Sequence, residues 1–365
     1  MKAPARPLLL LSLCLSCLSF GFAISTGYYN AIFSFGDSFS DTGNFVIMES
    51  PVLPNIPVFP PPYARCSNGR LVIDFLAEYF GLPLLPPSHS ISKNFTQGAN
   101  FAVIGATALP LEYFKKNNIY DIPPINSSLP VQLDWFDDLK QYVCNSTQEC
   151  KDFFRRSLFV VGEFGGNDYS FAMKSGRTVE QVKGMVPTVV DALCAAVEKL
   201  INDGARHVLV PGNLPSGCIP IMLTFYQSSN KDHYDPRTGC LKGMNSLALY
   251  HNAVLRIELE KLNKKYPEAR VIYGDYYGPV VQFARTPELY GFTNGALMVC
   301  CGGGGPYNYN ASASCGLPGA IQCTEPNSHV SWDGIHLTEA AYHYIANGWI
   351  KGPYAYPPLI SVMEE

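Results

Sequence analysis

Short apolar runs that end at a glycine recur along this chain, separated by longer stretches with apolar residues at helical spacing. Residues 30–35 are apolar and aromatic and stop at Gly36, 100–104 stop at Gly105, and 157–162 repeat the device. Such runs, bounded by a turn former, predict buried strands. Residues 206–211, with His-Val-Leu-Val at their centre, and 271–277 are read the same way. Helices are predicted over 70–81, with Leu71, Phe75, Leu76, Tyr79 and Phe80 on one stripe, over 182–202 with Gly204 as stop, over 247–266, and over 338–350 with Thr338 as N-cap. Six prolines between Pro51 and Pro62 make 51–63 an extended loop. Strands alternating with helices imply an α/β fold with a mainly parallel sheet covered on both faces. No Pro/Gly/Ser linker divides the chain, so one domain is expected. In such folds reactive groups sit beyond the carboxyl ends of the strands. Ser38, Gly105 and Asn167 fall there.

Composition narrows the class. Of 365 residues, 47% are hydrophobic, 13% aromatic and only 15% charged, which argues against disorder. The net charge is -4 and no Lys/Arg run appears, so a nucleic-acid partner is not expected. Lys2 and Arg6 precede an apolar run, 7–20, and Gly21-Phe22-Ala23 supplies small residues for cleavage. Residues 1–23 therefore read as a secretory signal, leaving 24–365 as the mature domain. No second apolar span follows, so no integral membrane span is expected. The destination is extracellular, cell wall or vacuole. Two of the 12 cysteines, Cys14 and Cys17, lie in the signal, and the even remainder suggests disulfides. Cys144 with Cys150, and Cys218 with Cys240, can close small loops. Among Cys300, Cys301, Cys315 and Cys323 the pairing stays open. No cysteine or histidine set has metal-ligand spacing, and no cofactor is called for. Sequons at Asn94, Asn126, Asn145 and Asn310 suit glycosylation of a secreted chain.

The chemistry concentrates in Phe33-Ser-Phe-Gly-Asp-Ser-Phe-Ser-Asp-Thr-Gly-Asn44. A serine just after a strand, beside a glycine turn, can expose its hydroxyl, but it needs a base. Position 40 is Ser, so the Gly-x-Ser-x-Gly elbow is absent. Of seven histidines, only His336 has an aspartate, Asp333, three residues earlier. One loop can then hold both, the carboxylate on Nδ1 and Nε2 left for the serine. Donors for an oxyanion are available from the Gly105 backbone and from the Asn167 amide in Phe164-Gly-Gly-Asn-Asp168. Asp37 is either a supporting residue or a turn cap. Gly302–Gly305 lacks the Lys-Ser/Thr of a phosphate loop and reads as a cysteine-stapled loop. Trp135 and Phe136 read as core.

Four blocks together, 35–44, 98–107, 165–168 and 333–336, resemble those of the plant GDSL esterase/lipase family, within the SGNH hydrolase group. Further similar stretches are 65–70, 211–218 and 300–308. The chain looks closest to the branch of acetylajmalan esterase and sinapine esterase. The resemblance implies a flavodoxin-like three-layer α/β/α fold. It implies Ser38 as nucleophile, His336 as base and Asp333 as its orienter. Ser38 N–H, Gly105 N–H and the Asn167 side chain would form the oxyanion hole. Where relatives carry a Pro-Tyr-Gly segment, this chain has Pro57-Val-Phe-Pro-Pro-Pro-Tyr63, so a relative's substrate does not transfer directly. The expected activity is hydrolysis of carboxylic esters of small acyl groups such as acetyl, on a polysaccharide or specialised metabolite. An acyltransferase using the same site, and a non-catalytic secreted binding protein, are the alternatives.

Overall fold

The computed structural model describes residues 28–49, 64–91, 94–122 and 125–363. The secretory-signal reading and the proline-rich stretch 51–63 lie outside the described residues. Five parallel strands form the sheet in the order β2-β1-β3-β4-β5. They are β1 (Ala31–Phe35), β2 (Gly98–Asn100), β3 (Ser157–Val161), β4 (His207–Pro211) and β5 (Arg270–Gly274). A short antiparallel strand, Ala355–Tyr356, pairs with β5 at the far edge. This is the flavodoxin-like order, in which direction of winding reverses at β1/β3 and ligands bind beyond the strand ends there.

Side chains alternate across the pleat and separate two cores. Phe33, Phe35, Phe159, Val161, Val208, Val210 and Val271 face one core, which is covered by the helices Leu129–Leu139, Val186–Asp203 and Lys242–Lys265. Ile32, Leu158, Val160, Leu209 and Ile272 face the other, covered by Val72–Tyr79, Tyr277–Arg285 and Glu339–Lys351. Strands buried on both faces are mostly apolar, which is why they appear in the sequence as near-continuous runs, with Ser34 and Ser157 as buried exceptions.

Element boundaries moved for local reasons. The strand expected over 100–104 lies at Gly98–Asn100, and residues 86–88 pair with it at Asn100. Phe101 and Val103 still donate to Ser34 and Gly36 carbonyls. A Cβ at Gly98 would sit 1.9 Å from the Ile32 carbonyl, so only glycine permits this pairing. The helix expected over 182–202 is two, Val179–Lys183 and Val186–Asp203. Pro187 has no N–H to continue a helix but suits the first turn of a new one. The helix expected from 247 starts at Lys242, where Lys242, Gly243 and Asn245 hide the periodicity. The strand expected to reach 277 ends at Gly274, and Asp275 accepts the Gly278 N–H at 2.9 Å to start a helix.

Among the described residues four disulfides are formed: Cys144–Cys150, Cys218–Cys240, Cys300–Cys323 and Cys301–Cys315. Cys66 and Cys194 are free. Phe136 lies in the core, Trp135 is half-buried, and all four sequon asparagines are exposed. Among the described residues no helix is long and apolar enough to cross a membrane.

Candidate active site

The loop after β1 is built to hold a serine still. Gly36 donates to and accepts from the buried Gln132 side chain, at 3.0 and 2.8 Å. A Cβ at Gly36 would come 3.0 Å from the Gly162 carbonyl, so the two strand ends meet only through glycine. Asp37 Oδ1 accepts the Phe39 N–H at 3.0 Å, and Asp37 O accepts from Ser40 and Asp41. Asp41 then gathers the N–H groups of Gly43, Asn44, Phe45 and Ile104. Asn100 donates to the Ser40 carbonyl at 2.7 Å, and Asn44 to those of Asn100 and Ala102. The blocks around Ser38 and Gly105 are thereby one hydrogen-bonded unit. Gly105 itself has φ +79°, a left-handed conformation that glycine alone adopts freely, and open space where a Cβ would stand.

His336 reaches Ser38 from 298 residues away. Its strap, between Val330 and Leu337, is held on two sides. Cys300 and Cys301 donate to Ser331 and Trp332 carbonyls. From the other side Ser67 donates to the Leu337 carbonyl at 3.0 Å, and Asn68 accepts the Glu339 N–H at 2.8 Å. Asp333 Oδ1 accepts the Ile335 and His336 N–H groups, and Asp333 Oδ2 lies 2.6 Å from His336 Nδ1. His336 Nε2 lies 2.7 Å from Ser38 Oγ. An imidazole so placed can take the serine proton, with the carboxylate steadying its charge. Burial alone would lower the His336 pKa, but the Asp333 carboxylate reverses this and holds it well above 6.5.

Residues 32–349 match the GDSL-like lipase/acylhydrolase family. This chain belongs to that family. It is 44% identical over 340 residues to GDSL esterase/lipase At1g28580 of Arabidopsis thaliana, covering 90% of this chain and 87% of that one. It is also 44% identical over 342 residues to GDSL esterase/lipase At5g45910 of the same plant, covering 90% and 92%. Like the family, it is a carboxylic ester hydrolase.

Residues of three GDSL blocks, Asp37 to Phe39, Gly166 with Asn167, and Ile335, line a cavity of about 570 Å³. Ser38 and Asn167 line one end, and Met173, Met222, Phe225 and Leu247 form apolar walls. Asn167 opens the helix Gly166–Lys174. Both of its amide hydrogens have partners, Asp37 Oδ2 with Nδ2 at 2.8 Å and the Ala106 carbonyl at 3.1 Å. Asp168 accepts the Ala108 and Leu109 N–H groups and ties this helix to the Gly105 turn. Cys300, Cys323 and His329 approach one another closely, but the two sulfurs are bonded to each other and are not thiolate ligands.

Three residues at the site carried no clear signal in the sequence. Cys66 lies buried beside His336, with burial raising its thiol pKa. Glu163 lines the cavity next to Asp37, although nothing in its sequence context marks it. Asp37 was visible only as a neighbour of Ser38. Burial raises its pKa to about 7, and it supports both the Ser38 turn and Asn167.

Proposed function

We propose that this chain is a secreted serine esterase that works through an acyl-enzyme. His336 accepts the Ser38 proton as Ser38 attacks the ester carbonyl. Asp333 orients the ring and stabilises the imidazolium. The oxyanion is held by the Ser38 and Gly105 N–H groups and by Asn167, whose hydrogen on the Ala106 carbonyl turns to the substrate. The alcohol leaves with the proton from His336, and water repeats the attack. The observation that carries this reading is the 2.7 Å approach of His336 Nε2 to Ser38 Oγ, with Asp333 2.6 Å behind.

The proposed substrate has a small acyl group such as acetyl on a polysaccharide or a specialised metabolite. The apolar walls of the cavity suit a bulky apolar part of the ester. The same space could admit an alcohol or sugar acceptor in place of water, which supports acyl transfer as the second reading. We further propose removal of 1–23 as a signal, a single hydrolase domain over 24–365, and glycosylation at the four exposed sequons. Replacement Ser38→Ala is expected to abolish release of p-nitrophenol from its acetate and labelling by a fluorophosphonate. Retention of most activity in that variant would refute the nucleophile.

A further inference from the structure

Two acids meet against the nucleophile turn. The Asp37 and Glu163 carboxyl groups lie within hydrogen-bonding reach of each other on the cavity wall, and both are buried. Each is otherwise provided with donors. Glu163 Oε1 accepts the Gly166 N–H at 3.2 Å and the Asn213 side-chain N–H. Asp37 Oδ1 accepts the Phe39 N–H, and Asp37 Oδ2 accepts the Asn167 amide at 2.8 Å. Two carboxylates cannot face each other there without a proton between them. Asp37 already takes donors on both oxygens, whereas Gly166 and Asn213 both donate to Oε1 of Glu163. The proton therefore belongs on Glu163 Oε2, pointing to Asp37.

We propose that Glu163 is a positioning residue for the ester hydrolysis, held as a neutral acid that donates to Asp37. Asp37, in its anionic form above about pH 7, then holds Asn167 on one oxygen and the Ser38 turn on the other. This inference rests on the esterase reading above. The groups that act on the pair are consistent with it. Asp168 and the phenol of Tyr276 stand near both acids and Tyr169 near Glu163, while His336 acts on Asp37. Of these only His336 can carry positive charge, and it favours ionisation of Asp37 rather than of Glu163. Asn213, in the stretch 211–218, donates also to the Phe164 carbonyl at 2.8 Å and so fixes the side of Glu163 that must accept. Burial and the Asp37 charge push the Glu163 pKa well above 4.5.

Glutamine copies the neutral acid: its carbonyl accepts from Gly166 and Asn213, and its amide donates to Asp37. Glu163→Ala removes both. The test compares kcat and KM of Glu163→Gln, Glu163→Ala and the unaltered enzyme on p-nitrophenyl acetate from pH 5 to 10. Glu163→Ala is expected to lose about ten- to a hundredfold in kcat with little change in KM, as misplaced reacting groups do. Glu163→Gln is expected to restore most of that loss. Its decline in kcat at alkaline pH should move up by about one unit or more, because the donor no longer titrates. In the unaltered protein, both carboxyls hold protons more tightly folded than unfolded. Stability should therefore fall as pH rises from about 4 towards about 7, and less steeply in Glu163→Gln. Equal impairment of Glu163→Gln and Glu163→Ala at every pH would overturn the proposal, since it would mean that the ionised form is needed. So would full activity in Glu163→Ala. If Glu163→Ala does not fold, Glu163→Gln against the unaltered enzyme decides alone. Fluorophosphonate labelling of Ser38 in all three proteins separates this outcome from failure of the esterase reading, which would show as no labelling in any.

Discussion

Replacing Asp333 by Asn separates the charge of the His336 partner from its shape. The carbonyl of the new side chain can keep the bonds to Ile335 and His336 N–H groups that Asp333 Oδ1 makes. Its amide nitrogen then faces His336 Nδ1 where Asp333 Oδ2 stood at 2.6 Å. A donor there forces Nδ1 to accept, which puts the ring proton on Nε2, towards Ser38 Oγ. The base is blocked by its own tautomer. The lost charge can be sized as well. Charge centres about 4 Å apart interact by about 4 kcal/mol at an effective dielectric constant near 20. Removing that support from the imidazolium costs about a thousandfold in rate. The wrong tautomer carries the loss towards about ten-thousandfold. The assay is kcat for p-nitrophenyl acetate against pH, with the protein fold checked by circular dichroism. The acid limb should also move. Asp333 holds the His336 pKa above 6.5, and the base works only when neutral, so the unaltered enzyme gains activity as pH rises past that raised value. Without the carboxylate the largest influence raising the His336 pKa is gone, leaving burial opposed by Cys66 and Asp37, and the limb moves to lower pH. In stability the sign is opposite. The raised histidine contributes fully below about 6.5, and the contribution is lost as pH rises through the folded value. The variant should therefore be less stable than the unaltered protein at pH 5.5 and closer to it at pH 9. More than a tenth of kcat with an unmoved acid limb would refute this reasoning.

Two further outcomes follow from other parts of the structure. Arg65 grips Asp74 through two 2.6 Å bonds, and both are buried beside the segment that braces the His336 strap. Arg65→Ala strands a buried carboxylate and should cost about 3–5 kcal/mol in urea unfolding, a loss below 1 kcal/mol being contrary to it. Phe225 is an exposed cavity wall, so Phe225→Ala spares the core. It should lower kcat/KM for p-nitrophenyl octanoate by about fivefold more than for the acetate, from roughly 1 kcal/mol of lost apolar contact. An equal effect on both esters would remove this wall from the substrate's path.

The uneven legibility of the chain has physical causes. β1, β3, β4 and β5 were readable because strands covered on both faces are apolar at nearly every position, and that needs no knowledge of the partner. Ser38, Asp333, His336 and Asn167 were readable because the chemistry restricts residue type within short segments. Asp333 and His336 can even be paired from their spacing, since one loop holds both. Glu163 gave no such signal. Its meaning comes from Asp37, 126 positions earlier, and from Asn213, 50 positions later. Cys66 is similarly uninformative until the 65–70 segment is laid along the His336 strap.

The strand–helix alternation, the glycines at the strand ends and the candidate groups for acyl transfer could be read along the chain. These follow from local sterics, burial and side-chain chemistry. Only the tertiary structure decided that Ser38 Oγ meets His336 Nε2 and how the last four cysteines pair. It alone also set two buried acids against each other under the nucleophile. Those outcomes depend on distances between segments remote in the chain, which a one-dimensional pattern does not encode.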